Sequence, residues 1–140
     1  MLLIFWDIKE KPATRKAIEK ALGETYKKIT LTDKSSAKVI FIGSKKIRTL
    51  NRVYRKIDKE TDVLSFAELD LDDRFPVLRE EKTLGEIYIN LDWVAKDKNP
   101  TKLASALFLH GYLHLLGYDH EKDQGEMEKL EKKLNRLFSK

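Results

Sequence analysis

Cysteine is absent from this 140-residue chain. Its absence excludes a disulfide framework, a thiolate metal site and a cysteine nucleophile, and it fits a cytoplasmic protein. No apolar run approaches the roughly 18 residues of a membrane-spanning helix, so no membrane is expected as a partner. The N-terminal "MLLIFWDIKEK" lacks a basic region ahead of its apolar stretch and lacks a small-residue cleavage site. It reads as a first strand rather than a signal peptide. Glycines number six and prolines three, too few for a linker-like or collagen-like chain. There is no internal repeat and no low-complexity tract. What remains is 41% hydrophobic and 36% charged, the balance of one globular domain over residues 1–140 with its own core.

Negative charge is the minority: 23 Asp and Glu stand against 28 Lys and Arg, a formal net charge of +5. A basic surface attracts polyanions such as RNA, DNA and acidic membranes. The excess is diffuse. Lys9, Lys11, Arg15 and Lys16 lie near one end, and Lys45, Lys46, Arg48, Arg52, Arg55 and Lys56 in the middle.

Periodicity gives a coarse layout. Residues 2–8, 37–43, 61–69 and 84–91 read as strands, short and apolar or alternating. "KPATRKAIEKALG" reads as a helix with Pro12 in its first turn, Ala17, Ile18, Ala21 and Leu22 on one face, and Gly23 as its stop. Ser44 is placed to cap a helix carrying Ile47, Leu50 and Tyr54. The acidic-then-mixed stretch 70–83 reads as a surface loop. "NPTKLASALFLHGYLHLLG" is the clearest helix, with Asn99 as cap, Pro100 first and Gly117 at its end. A last helix over 123–138 places Met127, Leu130, Leu134, Leu137 and Phe138 on one side. Strands and helices in this order imply an α/β (α+β) fold, a small mixed sheet of about four strands packed with helices.

Histidine is as scarce as proline, and all three fall in "HGYLHLLGYDH", residues 110–120. On a helix, His110 and His114 lie one turn apart on one face, where two imidazoles can share a metal ion. Gly117 ends the helix, and the reversed chain can return His120 to the same ion. Three neutral nitrogen ligands with a fourth position left for water is the open, catalytic form of a zinc site. The ligands must be neutral, so binding should weaken below about pH 6. The spacing matches the metzincin pattern H-E-x-x-H-x-x-G-x-x-H, but Gly111 stands where that pattern has its general-base glutamate. A peptidase is therefore disfavoured. Gly111 either lets a neighbouring element pack closely or clears room beside the metal for a bulky substrate. Asp119 either orients an imidazole or caps the following turn.

The same stretch resembles the H-G-x-L-H-L-x-G-Y-D-H signature of the YbeY endoribonucleases, bacterial rRNA maturation factors. "LNRVYRKIDKETDVLSF" (50–66) is similar to that family's Tyr-Arg pair followed by T-[DN]-V-L-S-F, and "LGEIYI" (84–89) to its L-G-[DE]-I strand. Glu60 and Ala67 depart from the prolines that often flank the T-D-V-L-S-F core. The resemblance implies His110, His114 and His120 as ligands of one zinc ion, and Arg55 as the functional arginine. Arg55 and His114 are then the expected catalytic residues. It further implies a single-strand-specific endoribonuclease that acts in ribosomal RNA maturation and ribosome quality control, including the 3′ end of the small-subunit RNA. The partners it implies are single-stranded RNA, ribosomal RNA and the small ribosomal subunit.

The chemistry is consistent with this. A three-histidine centre supplies hydroxide at neutral pH and polarises a phosphoryl oxygen, while a guanidinium fork binds the charge that builds on the phosphate. Asp62, Asp92 and Asp119 are candidates for a further base, and the 2′-hydroxyl is an alternative nucleophile to water. Two competing readings stand beside the nuclease. One is a peptidase-like metallohydrolase. The other is a non-enzymatic ribosome-associated module whose metal is structural, its shell completed by Asp123 or Glu126.

Overall fold

The computed structural model describes residues 1–29, 36–67, 83–117, 125, 128–129 and 131–133. In chain order the elements are β1 (Leu2–Trp6), α1 (Pro12–Ile29), β2 (Ser36–Ile42), α2 (Ser44–Leu50), β3 (Val63–Ala67), β4 (Thr83–Asn90), α3 (Leu91–Lys96) and α4 (Pro100–Leu115). A single π-helical turn, Asn51–Arg55, continues α2. The four strands form one sheet in the order β1-β2-β4-β3. β1, β2 and β4 run parallel, and β3 pairs antiparallel with β4 at one edge. This is the mixed sheet packed with helices that the element order implies.

Strand alternation sorts the side chains into two layers. Val39 and Phe41 of β2 and Ile87 and Ile89 of β4 meet Ile18 and Leu22 of α1 and Phe108 and Tyr112 of α4 in the main core. Ile42 and Leu64, with Ile40, Phe66 and Tyr88 beside them, face a smaller core closed by Ile47 and Leu50 of α2. β3 contributes to both: Val63 and Ala67 point to the α4 side, Leu64 and Phe66 to the α2 side. The edge strand is thus flanked by different helices on its two faces.

Several local expectations need correction. α1 does not stop at Gly23 but runs to Ile29. A helical glycine costs about 1 kcal/mol against alanine. Beyond it, Thr25 is buried and Tyr26 and Ile29 pack on the main core. A fully buried large apolar side chain gains about 1.5–3 kcal/mol, so even partial burial of two outweighs the glycine. Ser44 is not a cap either. Gly43 holds that position without a side-chain bond, and the Ser44 N–H donates to the Asp92 carboxylate at 2.8 Å. Tyr54, expected on the face of Ile47 and Leu50, is instead exposed, because the π-helical turn interrupts the 3.6-residue period. The short helix α3 was not expected. Its cap is the Asn90 side chain, which accepts from the Asp92 N–H at 3.1 Å. The loop expected over 70–83 lies outside the described residues except Thr83, which begins β4. Of the helix expected over 123–138, residues 128–129 and 131–133 are helical, Gly125 is instead a bend with a φ of 95°, and the others lie outside the described residues.

Candidate metal centre

α4 is placed by strong local signals. The Asn99 side chain accepts from the Lys102 N–H at 3.3 Å and from the Thr101 hydroxyl at 3.0 Å, with Pro100 in the first turn. At the far end Gly117 adopts a φ of 103° and its N–H donates to the His114 carbonyl at 3.0 Å, the left-handed stop expected of glycine. Between these ends Gly111 is buried against the sheet. A Cβ there would stand 2.8 Å from Ile87 Cγ2 and 3.2 Å from Cγ1. Close packing is therefore the reason for this glycine, and it seats α4 on β4 at the level of the histidines.

His110 and His114 converge as expected. Their Nε2 atoms are 3.1 Å apart and their rings meet nearly edge to face, with centroids 4.7 Å apart. Two nitrogens on one tetrahedral ion, each about 2.0–2.1 Å from it, would be about 3.3 Å from each other. The observed separation fits that donor pair. His110 Nδ1 lies 2.5 Å from Glu131 Oε1. A carboxylate there accepts from Nδ1–H and leaves the Nε2 lone pair for a metal, the usual way in which a ligating imidazole is oriented. The histidine is half-buried, with 27% of its side chain exposed against 21% for Glu131, so the pair sits at a mouth rather than in the core. His120, the third expected ligand, lies outside the described residues. So do Asp119, Asp123 and Glu126. Among the described residues no group of three or more histidine, aspartate or glutamate donors gathers.

A cleft of about 390 Å³ opens beside His110, lined by Asp62, Val63, Ala106, Leu107 and Glu131 among others. Asp62 therefore lines the same cleft as His110, held by its carbonyl accepting from the Asn90 N–H at 2.8 Å. Asp92 does not line this cleft. Its carboxylate accepts from the Ser44 N–H and so caps α2. A larger groove of about 560 Å³ runs between α1 and α4, lined by Glu24, Lys28, Lys102 and Ser105 among others. It contains neither histidine, whereas His110 lines the smaller cleft.

Arg55 ends the π-helical turn on the α2 side of β3. Its Nη2 donates to the Ser65 carbonyl at 2.7 Å, and its guanidinium lies 5.3 Å from the Phe66 ring centre. The structure thus brings His110 and His114 together and sets Arg55 on the opposite face of the same edge strand. Both departures around the T-D-V-L-S-F core have a local use. Glu60 accepts from Trp93 Nε1 at 2.7 Å, and Ala67 ends β3 opposite Gly85. Glu131 is the site residue that sequence reasoning missed. It sits among charged neighbours in "EKLEKKLNR", and no local pattern separates it from them.

The chain matches the family described as Endoribonuclease YbeY over residues 6–140. It is 41% identical over 107 residues to a Campylobacter jejuni protein named endoribonuclease YbeY, covering 72% of this chain and 74% of that one. A Limosilactobacillus fermentum protein of the same name is 34% identical over 128 residues, covering 84% and 82%. The solution structure of TM1509 from Thermotoga maritima matches with a TM-score of 0.59 at 27% identity, covering 99% of this chain and 89% of that one. With the family matched across nearly the whole sequence, this chain belongs to the YbeY endoribonuclease family.

Proposed function

We propose that this protein is a zinc-dependent, single-strand-specific endoribonuclease that matures ribosomal RNA in the cytoplasm, including the 3′ end of the small-subunit RNA, and serves ribosome quality control. The observation that carries the metal dependence is the His110–His114 pair, with Nε2 atoms 3.1 Å apart and Glu131 fixing the tautomer of one ring. These two histidines, with His120, would hold the ion. When bound, it supplies a Lewis acid for a phosphoryl oxygen and lowers the pKa of a coordinated water to about 7.

The chain's own groups supply the remainder. Glu131 holds the His110 ring in its ligating orientation. Asp62, one of the carboxylates that line the cleft, is assigned to take a proton. Arg55 spends one N–H on Ser65 and has four more for a phosphate. The histidines and Arg55 flank one edge strand from opposite faces, so an RNA that reaches both must bend over that edge. A single strand does so easily, whereas duplex DNA stays straight over about 150 bp. The basic balance of the chain agrees with a polyanionic partner. Gly111 is packed on Ile87, which leaves the peptidase reading without its glutamate.

The test is cleavage of end-labelled single-stranded RNA by purified protein, with and without chelator, alongside His114→Ala and Arg55→Ala. The proposal requires that cutting disappears with chelator and falls in both variants. Cutting that survives all three refutes it. A 3′-hydroxyl on the product identifies water as nucleophile, and a cyclic phosphate identifies the ribose.

A further inference from the structure

The π-helical turn does more than end α2. A continuous α-helix would carry Tyr54 onto the face of Ile47, which is buried. The wider turn sets the following side chains back by about one residue, about 100° of rotation. Tyr54 instead keeps 65% of its surface exposed, with Val53 at 49% and Ile57 at 50% beside it. Its ring is not loose. It meets Phe66 at 5.3 Å between centroids and 64° between planes, and Phe66 in turn meets Tyr88 at 5.8 Å. Tyr88 is anchored by donating to the Glu86 carboxylate at 2.7 Å. Arg55, next in sequence, lies over Phe66 and is tied to β3 through the Ser65 carbonyl. Lys56 then turns the chain with a φ of 64°.

A propped, outward-facing aromatic needs an explanation, since hydrophobic burial alone would have covered it. Its surroundings point to one. Residues 45–59 hold seven basic residues and one acid, Asp58, and Asp58 is engaged by Arg48 at 2.9 Å. An exposed aromatic in a basic surround is the composition that binds single-stranded nucleic acid, the cations tracking phosphates and the ring stacking a base.

We propose that Tyr54 is a base-stacking platform for the RNA strand, a binding subsite separate from the metal centre. The inference rests on the RNA reading above. The aromatic row Tyr54–Phe66–Tyr88 supports the ring from behind, while Arg52 and Lys56 meet the backbone on either side. Because every base has a π-face, the subsite holds the strand without choosing a sequence. Arg55 and Tyr54 are adjacent, so a base seated on the tyrosine brings its phosphate toward the guanidinium.

Binding of fluorescently labelled single-stranded RNA to the metal-loaded protein, followed by stopped-flow anisotropy before the strand is cut, tests this separately from cleavage. Tyr54→Ala is expected to weaken binding by roughly 5- to 100-fold, Tyr54→Phe by less than about twofold, and Tyr54→Leu nearly as much as alanine. An abasic strand of equal length should bind wild type and Tyr54→Ala alike. The salt slope should be unchanged in Tyr54→Ala and shallower in Arg52→Gln, because only the latter loses a phosphate contact. Equal affinity of wild type and Tyr54→Ala for normal RNA overturns the inference alone and hands this patch to a protein partner. So does an alanine defect that persists on the abasic strand. Failure of the wild type to bind RNA at all overturns the proposed function with it. Tyr54 is exposed, so the variants should melt with the wild type, and a matching melting temperature confirms that affinity is being read.

Discussion

Replacing Gly111 by alanine sets two opposing effects against each other. The helix gains, because alanine is favoured over glycine in a helix interior by about 1 kcal/mol. The packing loses, because the new Cβ would stand 2.8 Å from Ile87 Cγ2, 3.2 Å from Cγ1 and 3.4 Å from Cδ1. Ile87 is wholly buried, and a β-branched side chain is stiff at its first torsion. The nearest methyl therefore cannot swing aside, and the backbones of α4 and β4 must part. Overpacking of this kind costs about 1–3 kcal/mol. The net for Gly111→Ala is a destabilisation of about 0–2 kcal/mol, the difference of those two figures.

A double-mutant cycle separates the effects. Ile87→Ala alone should cost about 2–5 kcal/mol as a cavity. It also removes all three atoms that the new Cβ would strike. Adding Gly111→Ala to it should then stabilise by about 1 kcal/mol, a coupling of about 1–3 kcal/mol between the two positions. Denaturant unfolding at constant slope reads each term. Zinc affinity provides a second readout, since α4 carries His110 beside the substitution. It should fall in Gly111→Ala and recover partly in the double variant. If Gly111→Ala stabilised the otherwise wild-type protein by about 1 kcal/mol with no coupling to Ile87, the close approach of helix and sheet would be refuted.

Other perturbations follow from the same geometry. Glu131→Gln should lower zinc affinity by about 10- to 100-fold while sparing the fold, as loss of a ligand-orienting carboxylate does; competition with a chromophoric chelator measures it, and unchanged affinity would remove Glu131 from the site. Asn90→Ala should cost about 2–4 kcal/mol, because this fully buried amide donates to the Ser44 hydroxyl and the Thr61 carbonyl and accepts from the Asp92 N–H; a change below about 0.5 kcal/mol in denaturant unfolding would show the network to be dispensable. Burial first, then the hydrogen bond to Glu86, raises the Tyr88 pKa above the ordinary value of 10.0. The folded state thus holds that proton more tightly than the unfolded one, so the contribution of Tyr88 is complete below about pH 10 and is lost as pH rises beyond it. The stability gap between wild type and Tyr88→Phe should accordingly narrow above about pH 10, and a gap that stayed constant there would contradict the assignment.

What could be read from the sequence was whatever a short window contains. The ends of α4 were legible because Asn99, Pro100 and Gly117 each act on backbone within a turn of themselves. The His110–His114 pair was legible for the same reason, since helical spacing alone decides that two imidazoles share a face. The misses share the opposite property. Gly23 looks like a stop until Tyr26 and Ile29 find a core supplied by distant strands. The cap of α2 is Asp92, which is 48 residues from Ser44. Glu131, the partner of His110, is 21 residues away from it in sequence. α3 is the exception, because Asn90 two residues before Asp92 was a readable cap.

The candidate site divides along that line. Its two described candidate ligands, His110 and His114, are local to one helix, while Glu131, Asp62, Arg55 and Tyr54 come from other parts of the chain. Asp62 precedes β3, and its carbonyl is pinned by the backbone of Asn90 in β4. Arg55 is pinned to the Ser65 carbonyl in β3, and Tyr54 to the Phe66 ring. A short edge strand with both faces occupied therefore couples α4 on one side to the basic turn on the other. Gly85 is where that coupling is most exposed to damage. Its φ is 148°, and a Cβ there would fall 2.1 Å from the Phe66 carbonyl oxygen and 2.9 Å from Leu115 Cδ2. Any side chain at this position must push β3 off β4 and α4 off both. Gly85→Ala should thus unseat His114, one residue before Leu115, together with Arg55, although it touches neither.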